Sequence, residues 1–487
     1  MQSFKKRRMY FLTFIFIAVA VLTSSAQTFT KILDFQVNNG ATPFHTSLVQ
    51  GLDGYLYGTT SYGGTFSCPP NGGCGTVFAM NSDGEIAKTF SFDLVDGAFP
   101  YGGVLGTSDG ALFGTTYSGG SGGSNGGGTI YEITPNGRLL TIHNFCSQAN
   151  CADGLSPSSG LLRANDGSYY GTTCNGGMFN NGTIYKISSA GVFTTLHSFD
   201  GFGDGSCPFG ALMEGNDGKI YGAAGGGGIS QNGTIFTITS DGTLTTLHKF
   251  VGAPDDGSAP NAPLVQGPDG NLYGTTLLGG SCSALAYVGC GTVFRLTPGG
   301  DLTTIYNFCL NNGPCTDGQS PADALVLGSD GNFYGTTAFG GSVVNAGTVF
   351  SITPAGVLTT LHSFNNTYKD GKYPFTTLLQ ATNGEFYGTA EEGGAKGRGT
   401  VFSINLGLSP FVKIQPTFGK AGATILILGT GLTGTTDVAF NGTQAPFEVI
   451  SDTLIRATVP AGAMSGTVTV ATPGGSLPSD LAFRILK

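Results

Sequence analysis

The sequence contains no tryptophan and only five histidines, and charged residues make up 10% of its 487 positions. Lacking tryptophan, the chain is without the best stacking surface for sugars, which leaves Tyr62, Tyr117, Phe179 and Phe339 as the aromatic substitutes in its long loops. Lysine and arginine number 21 against 30 acidic residues, for a net charge of −9. Such a chain offers no cationic face to a phosphate backbone or an anionic membrane, so nucleic acid and lipid surfaces are not expected partners. No run with helical periodicity occurs beyond the N-terminus, and no later segment is apolar for long enough to cross a bilayer. Nucleophile, paired-carboxylate and phosphate-loop motifs are also missing. Gly119-Gly-Ser-Gly-Gly123, for example, has neither a following lysine nor a helix to present its amides. No cofactor is expected.

What the chain does have is glycine, 83 residues of it, a composition suited to many short strands joined by tight turns. Its N-terminus reads as a secretory signal over residues 1–26. Lys5, Lys6, Arg7 and Arg8 precede the apolar run Met9 to Leu22, and Ser24-Ser25-Ala26 offers a cleavage site. The rival is an uncleaved anchor, for which the run is of marginal length. No anchor-like run precedes Lys487, so release or periplasmic residence is the expected address, without membrane insertion. The ten cysteines suit that compartment. Cys68 and Cys74, Cys146 and Cys151, Cys282 and Cys290, and Cys309 and Cys315 are close in sequence. Cys174 and Cys207 are expected to pair across a longer loop. Zinc is the alternative, but these spacings lack the knuckles and histidines of structural zinc sites.

A repeat dominates everything between. Tyr57-Gly-Thr-Thr60 recurs as Phe113-Gly-Thr-Thr116, Tyr170-Gly-Thr-Thr173, Tyr221-Gly-Ala-Ala224, Tyr273-Gly-Thr-Thr276, Tyr334-Gly-Thr-Thr337 and Tyr387-Gly-Thr-Ala390, at a period of 51 to 61 residues. Each copy is followed by a Gly-Thr-Val-Phe type segment, from Gly75-Thr-Val-Phe78 to Gly399-Thr-Val-Phe402. A third element ends in Phe92, Phe145, Phe199, Phe250, Phe308 or Phe364. Its seventh copy, Lys31-Ile-Leu-Asp-Phe35, stands ahead of the first full repeat. In a closed ring this offset lets the N-terminal strand complete the last sheet and removes both open edges. Asp-Gly pairs such as Asp53-Gly54 and Asp109-Gly110 mark tight hairpins, whereas all the cysteines fall in the long connections, hence on one face. These tandem elements resemble the GloVer-type repeat of secreted bacterial proteins over residues 28–404, a resemblance that implies surface or extracellular placement and no particular activity.

From about residue 409 the period stops. Ile414-Gln-Pro416, Gly429-Thr-Gly-Leu432, Val438-Ala-Phe-Asn-Gly442 and Ala457-Thr-Val-Pro460 resemble an IPT/TIG domain, and short β-rich runs between Gly and Pro independently argue for a small sandwich. The expected fold is therefore all-β. It comprises a seven-bladed β-propeller of four-stranded blades over residues 27–406, closed by the N-terminal strand, and an immunoglobulin-like β-sandwich over 409–487.

Residues that recur in phase are expected to serve the blades. His143, His197, His248 and His362 share one phase on the outermost strand. The aspartates of Asp-Gly-x-x-Pro, Asp96, Asp153, Asp204, Asp256, Asp317 and Asp370 with Asn39 as the seventh, are expected to hold turns while ringing the channel mouth. Carboxylates spread around a ring do not converge on one ion, so no metal site is expected. Function is sought where phase breaks. Two places after the repeated proline stand His45, Gly102, Ser159, Gly210, Ala262, Asp323 and Thr376, and of these His45, Ser159, Asp323 and Thr376 are the expected binding residues at the channel mouth. Glu391 and Glu392 also depart from their repeat, with Lys396 and Arg398 nearby as expected ion-pair partners. The leading expectation is a non-enzymatic secreted or cell-surface protein that binds an extracellular glycan or protein through its long-loop face. The alternatives are a polysaccharide-acting enzyme with chemistry at the channel mouth, for which a His45–Asp323 network is the mark, and a structural envelope protein.

Overall fold

The computed structural model describes residues 27–68, 72–121, 126–282, 289–310, 314–342, 345–365 and 370–486; the expected signal peptide, residues 1–26, lies outside them. The described residues are all-β apart from one 3-10 turn, Ala149–Cys151. None of their helices is long and apolar enough to cross a membrane.

Each repeat forms an antiparallel four-stranded sheet, lettered a to d from its short first strand. In unit 1 these are Val49–Gln50, Leu56–Thr60, Thr76–Met80 and Ile86–Ser91. The repeated glycine of strand b has a packing reason. Gly58 faces Phe78 on strand c, and a Cβ there would meet Leu48 at 2.6 Å and the Phe78 ring at 2.7 Å. Gly335 stands in the same relation to Phe350. Strands b and c of unit 1 are buried throughout, as strands covered on both faces must be.

The seventh sheet is made differently. Its strands are Leu379–Gln380, Phe386–Ala390, Thr400–Asn405 and, in the outermost place, the first strand of the chain, Thr28–Asp34. Phe29 on that strand stacks on His362 of unit 6 at 3.6 Å and lies 5.4 Å from Phe402. Phe193 on strand d of unit 3 stacks on His143 of unit 2 at 3.8 Å and lies 5.4 Å from Tyr185. The N-terminal strand thus occupies the place of a strand d.

Units that follow one another in sequence share apolar clusters, for instance Tyr57 and Phe92 with Leu112 and Tyr131. The last and first units share one too, in which Leu379, Tyr387 and Val401 pack with Leu48, Leu56 and Phe78. Polar contacts repeat in the same way. The Asn216 amide donates to the Gln266 side chain at 2.8 Å and the Ser329 amide to Gln380 at 2.9 Å. Between units 7 and 1, the Thr382 amide donates to Gln50 at 3.0 Å.

Beyond the array, two four-stranded sheets face each other over Ile425, Ile427, Val438, Phe440, Ile455, Val468 and Phe483, an immunoglobulin-like sandwich. It sits against the short-turn end of units 7, 1 and 2. The Phe411 amide donates to the Thr382 carbonyl at 3.0 Å, Thr382 and Thr430 hydroxyls meet at 2.9 Å, and the Lys413 ammonium donates to the Gln380 carbonyl at 2.8 Å. Burial pushes the pKa of Lys413 down, against the opposing pull of Asp480. The long connections lie at the opposite end of the sheets. They carry five disulfides: Cys68–Cys74, Cys146–Cys151, Cys174–Cys207, Cys282–Cys290 and Cys309–Cys315.

Candidate functional site

The long connections are built to one plan. After strand d the chain enters Asp-Gly-x-x-Pro, and in four units that aspartate takes the in-phase histidine of the preceding strand. His143 meets Asp153 at 3.2 Å, His197 meets Asp204 at 2.6 Å, His248 meets Asp256 at 2.8 Å and His362 meets Asp370 at 3.1 Å. Tyr306 does the same for Asp317 at 2.9 Å. This corrects the expectation that the aspartates ring the channel mouth: their carboxylates turn outward to strand d, where each ties a loop to its sheet. Asp96 is the exception. Its phase partner on strand d is Phe90, and its carboxylate accepts from the Asp93 amide at 2.8 Å. Burial, with the charge of Asp93 added, pushes its pKa up to about 6.

The connection next returns over the loop between strands b and c, held by an antiparallel bridge such as Ala41 to Tyr62, Ala98 to Ser118 or Gln319 to Phe339. The residue before the proline then adopts positive φ in every unit: Thr42, Phe99, Ser156, Cys207, Ala259, Ser320 and Tyr373. Its amide donates back to the preceding unit, Phe99 to the Cys74 carbonyl at 2.8 Å and Thr42 to that of Arg398 at 2.8 Å. This double clamp fixes the proline and thereby aims the two residues after it. A further lock holds the second of them, because the first threonine of strand b in the preceding unit donates to its carbonyl. Thr59 bonds Gly102 at 3.1 Å, Thr115 bonds Ser159 at 2.7 Å and Thr275 bonds Asp323 at 3.1 Å.

His45 breaks the plan. Alone among the seven residues at its position it has positive φ, 50°, and the Thr389 hydroxyl, which by phase would bond its carbonyl, is buried without a partner. A strained backbone beside an unsatisfied buried group is maintained only where surrounding structure compensates, and such places concentrate at functional sites.

The turned backbone carries His45 into a pocket of about 170 Å³ to which units 1 to 6 all contribute, among them Gly102, Ser158, Ser159, Phe209, Asn261 and Asp323. At the second place after the proline, units 2 to 4 supply Gly102, Ser159 and Gly210, and these small residues leave space in the pocket. The His45 ring lies 4.2 Å from Phe44, 5.0 Å from Phe209 and 5.3 Å from Phe375, so it reaches from unit 1 to unit 4. Its Nδ1 meets the Asp323 carboxylate at 3.3 Å, with the two side chains 14% and 9% exposed. The other Asp323 oxygen accepts from the Thr377 hydroxyl at 2.7 Å and from the Ala324 amide at 3.0 Å.

Of the four expected binding residues, His45, Ser159 and Asp323 therefore meet in one pocket. The Ser159 hydroxyl shares a hydrogen bond with Thr172 at 3.1 Å. Thr376 does not line the pocket: it is fully buried, and its hydroxyl donates to the Thr46 carbonyl of unit 1 at 2.9 Å. Glu392 pairs with Lys372 at 2.7 Å, in place of Lys396 or Arg398. Glu391 stands half-buried at the rim with no hydrogen bond or ion pair on its carboxylate among the described residues. Burial and the charge of Glu392 push its pKa up to about 7, against the opposing fields of His45 and Lys372.

Aromatic rings line the same rim. Phe44 lies 5.4 Å from Tyr101, which lies 4.8 Å from Tyr117. Tyr62 meets Phe99 at 5.3 Å and Phe339 meets Tyr373 at 5.3 Å. Phe179 is 55% exposed and apart from this group. Sulfurs of Cys282, Cys290 and Cys309 approach within 4.8 Å of one another, but all three are consumed in disulfides and are not thiolates that could ligate a metal. The assembled chemistry is an imidazole oriented by a carboxylate, a second carboxylate with no hydrogen bond or ion pair among the described residues, and a partly exposed aromatic rim.

A model of the Gloeobacter/Verrucomicrobia repeat matches residues 18–150, 121–287 and 253–445, and an IPT/TIG domain matches residues 411–485. No curated protein matches the chain. Among solved structures, a fungal alcohol oxidase of the AA5 family in complex with copper is similar at 14% identity and a TM-score of 0.52, over 94% of this chain and 99% of that one. A streptogramin B lyase aligns at 15% identity and a TM-score of 0.49, over 78% of this chain and 97% of that one. PorZ, a surface component of the type-IX secretion system of Porphyromonas gingivalis, aligns at 14% and 0.46, over 93% of this chain and 61% of that one. At such identities the likeness to the oxidase speaks for an all-β, propeller-like fold alone.

Proposed function

The chain belongs to the Gloeobacter/Verrucomicrobia repeat family and carries an IPT/TIG domain, and on that footing we propose an extracytoplasmic, non-enzymatic binding protein whose ligand enters the central pocket from the long-connection face. The architecture we propose with it is a closed seven-bladed propeller over residues 27–406, an immunoglobulin-like domain over 409–487, and a signal peptide over 1–26. Closure is supported by the contacts between units 7 and 1, which reproduce those between sequential units: the Phe29 stack, the shared apolar cluster and the amide of Thr382 on Gln50. Five disulfides support an oxidising compartment.

The observation that carries the binding reading is the meeting of phase-breaking residues in one concave place. Units 1 to 6 all contribute to it, and two of the positions that depart from the repeat, His45 and Asp323, touch each other across it. The immunoglobulin-like domain covers the other end, which leaves the pocket face free for a large extracellular polymer. A thermal-shift screen of the mature chain with soluble glycans tests this. A stabilising glycan whose effect is lost in His45→Ala and Asp323→Ala supports the pocket, and a shift that survives both variants rejects it.

One observation favours a second reading. Asp323 on Nδ1 orients the His45 imidazole as a carboxylate orients a general base, which leaves Nε2 to face a substrate. On that reading the chain cleaves extracellular polysaccharide, and release of new sugar ends that stops in His45→Ala distinguishes it from binding alone.

A further inference from the structure

The pocket's own chemistry narrows its ligand. Among the described residues its lining includes no lysine or arginine, and Asp323 is its only carboxylate. The Asp323 oxygen that faces His45 is held at 3.3 Å, longer than a charge-assisted hydrogen bond of ~2.7–2.9 Å, so it keeps capacity for a stronger donor. At the rim, Glu391 is a half-buried carboxylate that takes no hydrogen bond or ion pair among the described residues, in a place where its neighbours in phase are Ser61, Tyr117, Cys174, Gly225, Leu277 and Ala338. A buried carboxylate is disfavoured until a cation joins it. The rings of Phe44, Phe209 and Phe375 are grouped around the His45 imidazole that meets Asp323. Aromatic faces attract cations, and this rim already holds one: the Lys372 ammonium lies 4.7 Å over the Tyr373 ring while paired with Glu392.

We infer that the pocket takes an amine-bearing sugar, its ammonium set against Asp323 and Glu391 and its ring against the aromatic rim. The inference rests on the reading of this pocket as the binding site. A pocket of about 170 Å³ with serine, asparagine and backbone groups in its walls is suited to one polar sugar unit, and the open rim lets a polymer continue outward. A neutral sugar would bring Asp323 and Glu391 no cation. An acidic sugar would be repelled by them.

Calorimetric titration of the mature chain at pH 6 with the glucosamine tetramer and with the N-acetylglucosamine tetramer decides the matter. The two differ in the charge at each C2 nitrogen. The amine form is expected to bind at least ~10-fold more tightly, a difference the size of one good charge-assisted contact. Asp323→Asn is expected to remove most of that preference. Glu391→Gln, at a partly exposed loop position where folding is not at stake, is expected to weaken the amine form alone, ~3- to 10-fold. If the N-acetylated tetramer binds equally or better at a site that His45→Ala destroys, the ammonium inference is overturned while the pocket reading stands. If neither tetramer binds, the inference falls, and the wider glycan screen decides the pocket reading separately.

Discussion

Asp96 is the aspartate of its phase without an imidazole or phenol partner, and that makes it a sharp test of how the repeat is held together. Its pKa rises from 3.8 to about 6 because the carboxylate is half-buried beside Asp93. With the folded value above the unfolded one, ionisation is penalised in the native state. The penalty is absent below about pH 4, grows between the two values and is complete above about pH 6. A rise of that size corresponds to ~3 kcal/mol, which solvent screening at a partly exposed position reduces to ~1–2 kcal/mol. Asp96→Asn keeps the oxygen that accepts from the Asp93 amide and removes the charge. The variant is therefore expected to be more stable than the parent by ~1–2 kcal/mol at pH 8 and equal to it at pH 4. Phe90→His, which supplies the partner that the other units have, is expected to give a similar gain. Urea denaturation of each protein across pH 4 to 8 is the assay. A gain that does not change with pH, or a loss at pH 8, would refute the reasoning.

Two further predictions concern the joints. Phe29→Ala is expected to lose ~2 kcal/mol, a partly buried fraction of the ~3–5 for a core phenylalanine, and to match Phe193→Ala, its counterpart in unit 3; chemical denaturation of the two variants side by side checks this. Cys174 and Cys207 are separated by 33 residues, against 5 for Cys146 and Cys151. Loop-closure entropy then gives ~4 kcal/mol for the longer bridge and ~2 for the shorter, so the double alanine variant of the first pair should melt at the lower temperature in calorimetry.

Much of the architecture is legible in the sequence because a tandem repeat states its strands seven times over. Tyr-Gly-Thr-Thr and Gly-Thr-Val-Phe pair as strands b and c, Asp-Gly marks the turns, and the offset of Lys31 to Phe35 foretells the pairing of the first strand with Thr400–Asn405. The direction in which an in-phase side chain points is not legible. The aspartates of Asp-Gly-x-x-Pro recur as regularly in a turn that faces the axis as in one that faces strand d, and only the register of His143, His197, His248 and His362 settles it. The antiparallel bridge after each Asp-Gly is not legible because two residues carry no periodicity. The positive φ of Thr42 or Phe99 is not legible either, because neither residue type announces it. His45 and Asp323 were legible as breaks in phase, yet their contact depends on how far His45 reaches across the sheets, which its left-handed backbone decides. Thr376 broke phase for a different purpose, to bond unit 1. Glu391 is legible as an acid out of place, but that no ion pair reaches it among the described residues follows from Lys372 turning to Glu392.

The face assignments, the seam and the convergence of six units on one pocket all depend on the N-terminal strand serving as the outer strand of the last sheet. Hydrogen exchange measured on the mature chain reads this directly. The amides of Thr28–Asp34 are expected to exchange as slowly as those of Phe193–Ser198, the corresponding strand of unit 3. Exchange of Thr28–Asp34 at the rate of an unstructured tail, with Phe193–Ser198 still protected, would contradict the account.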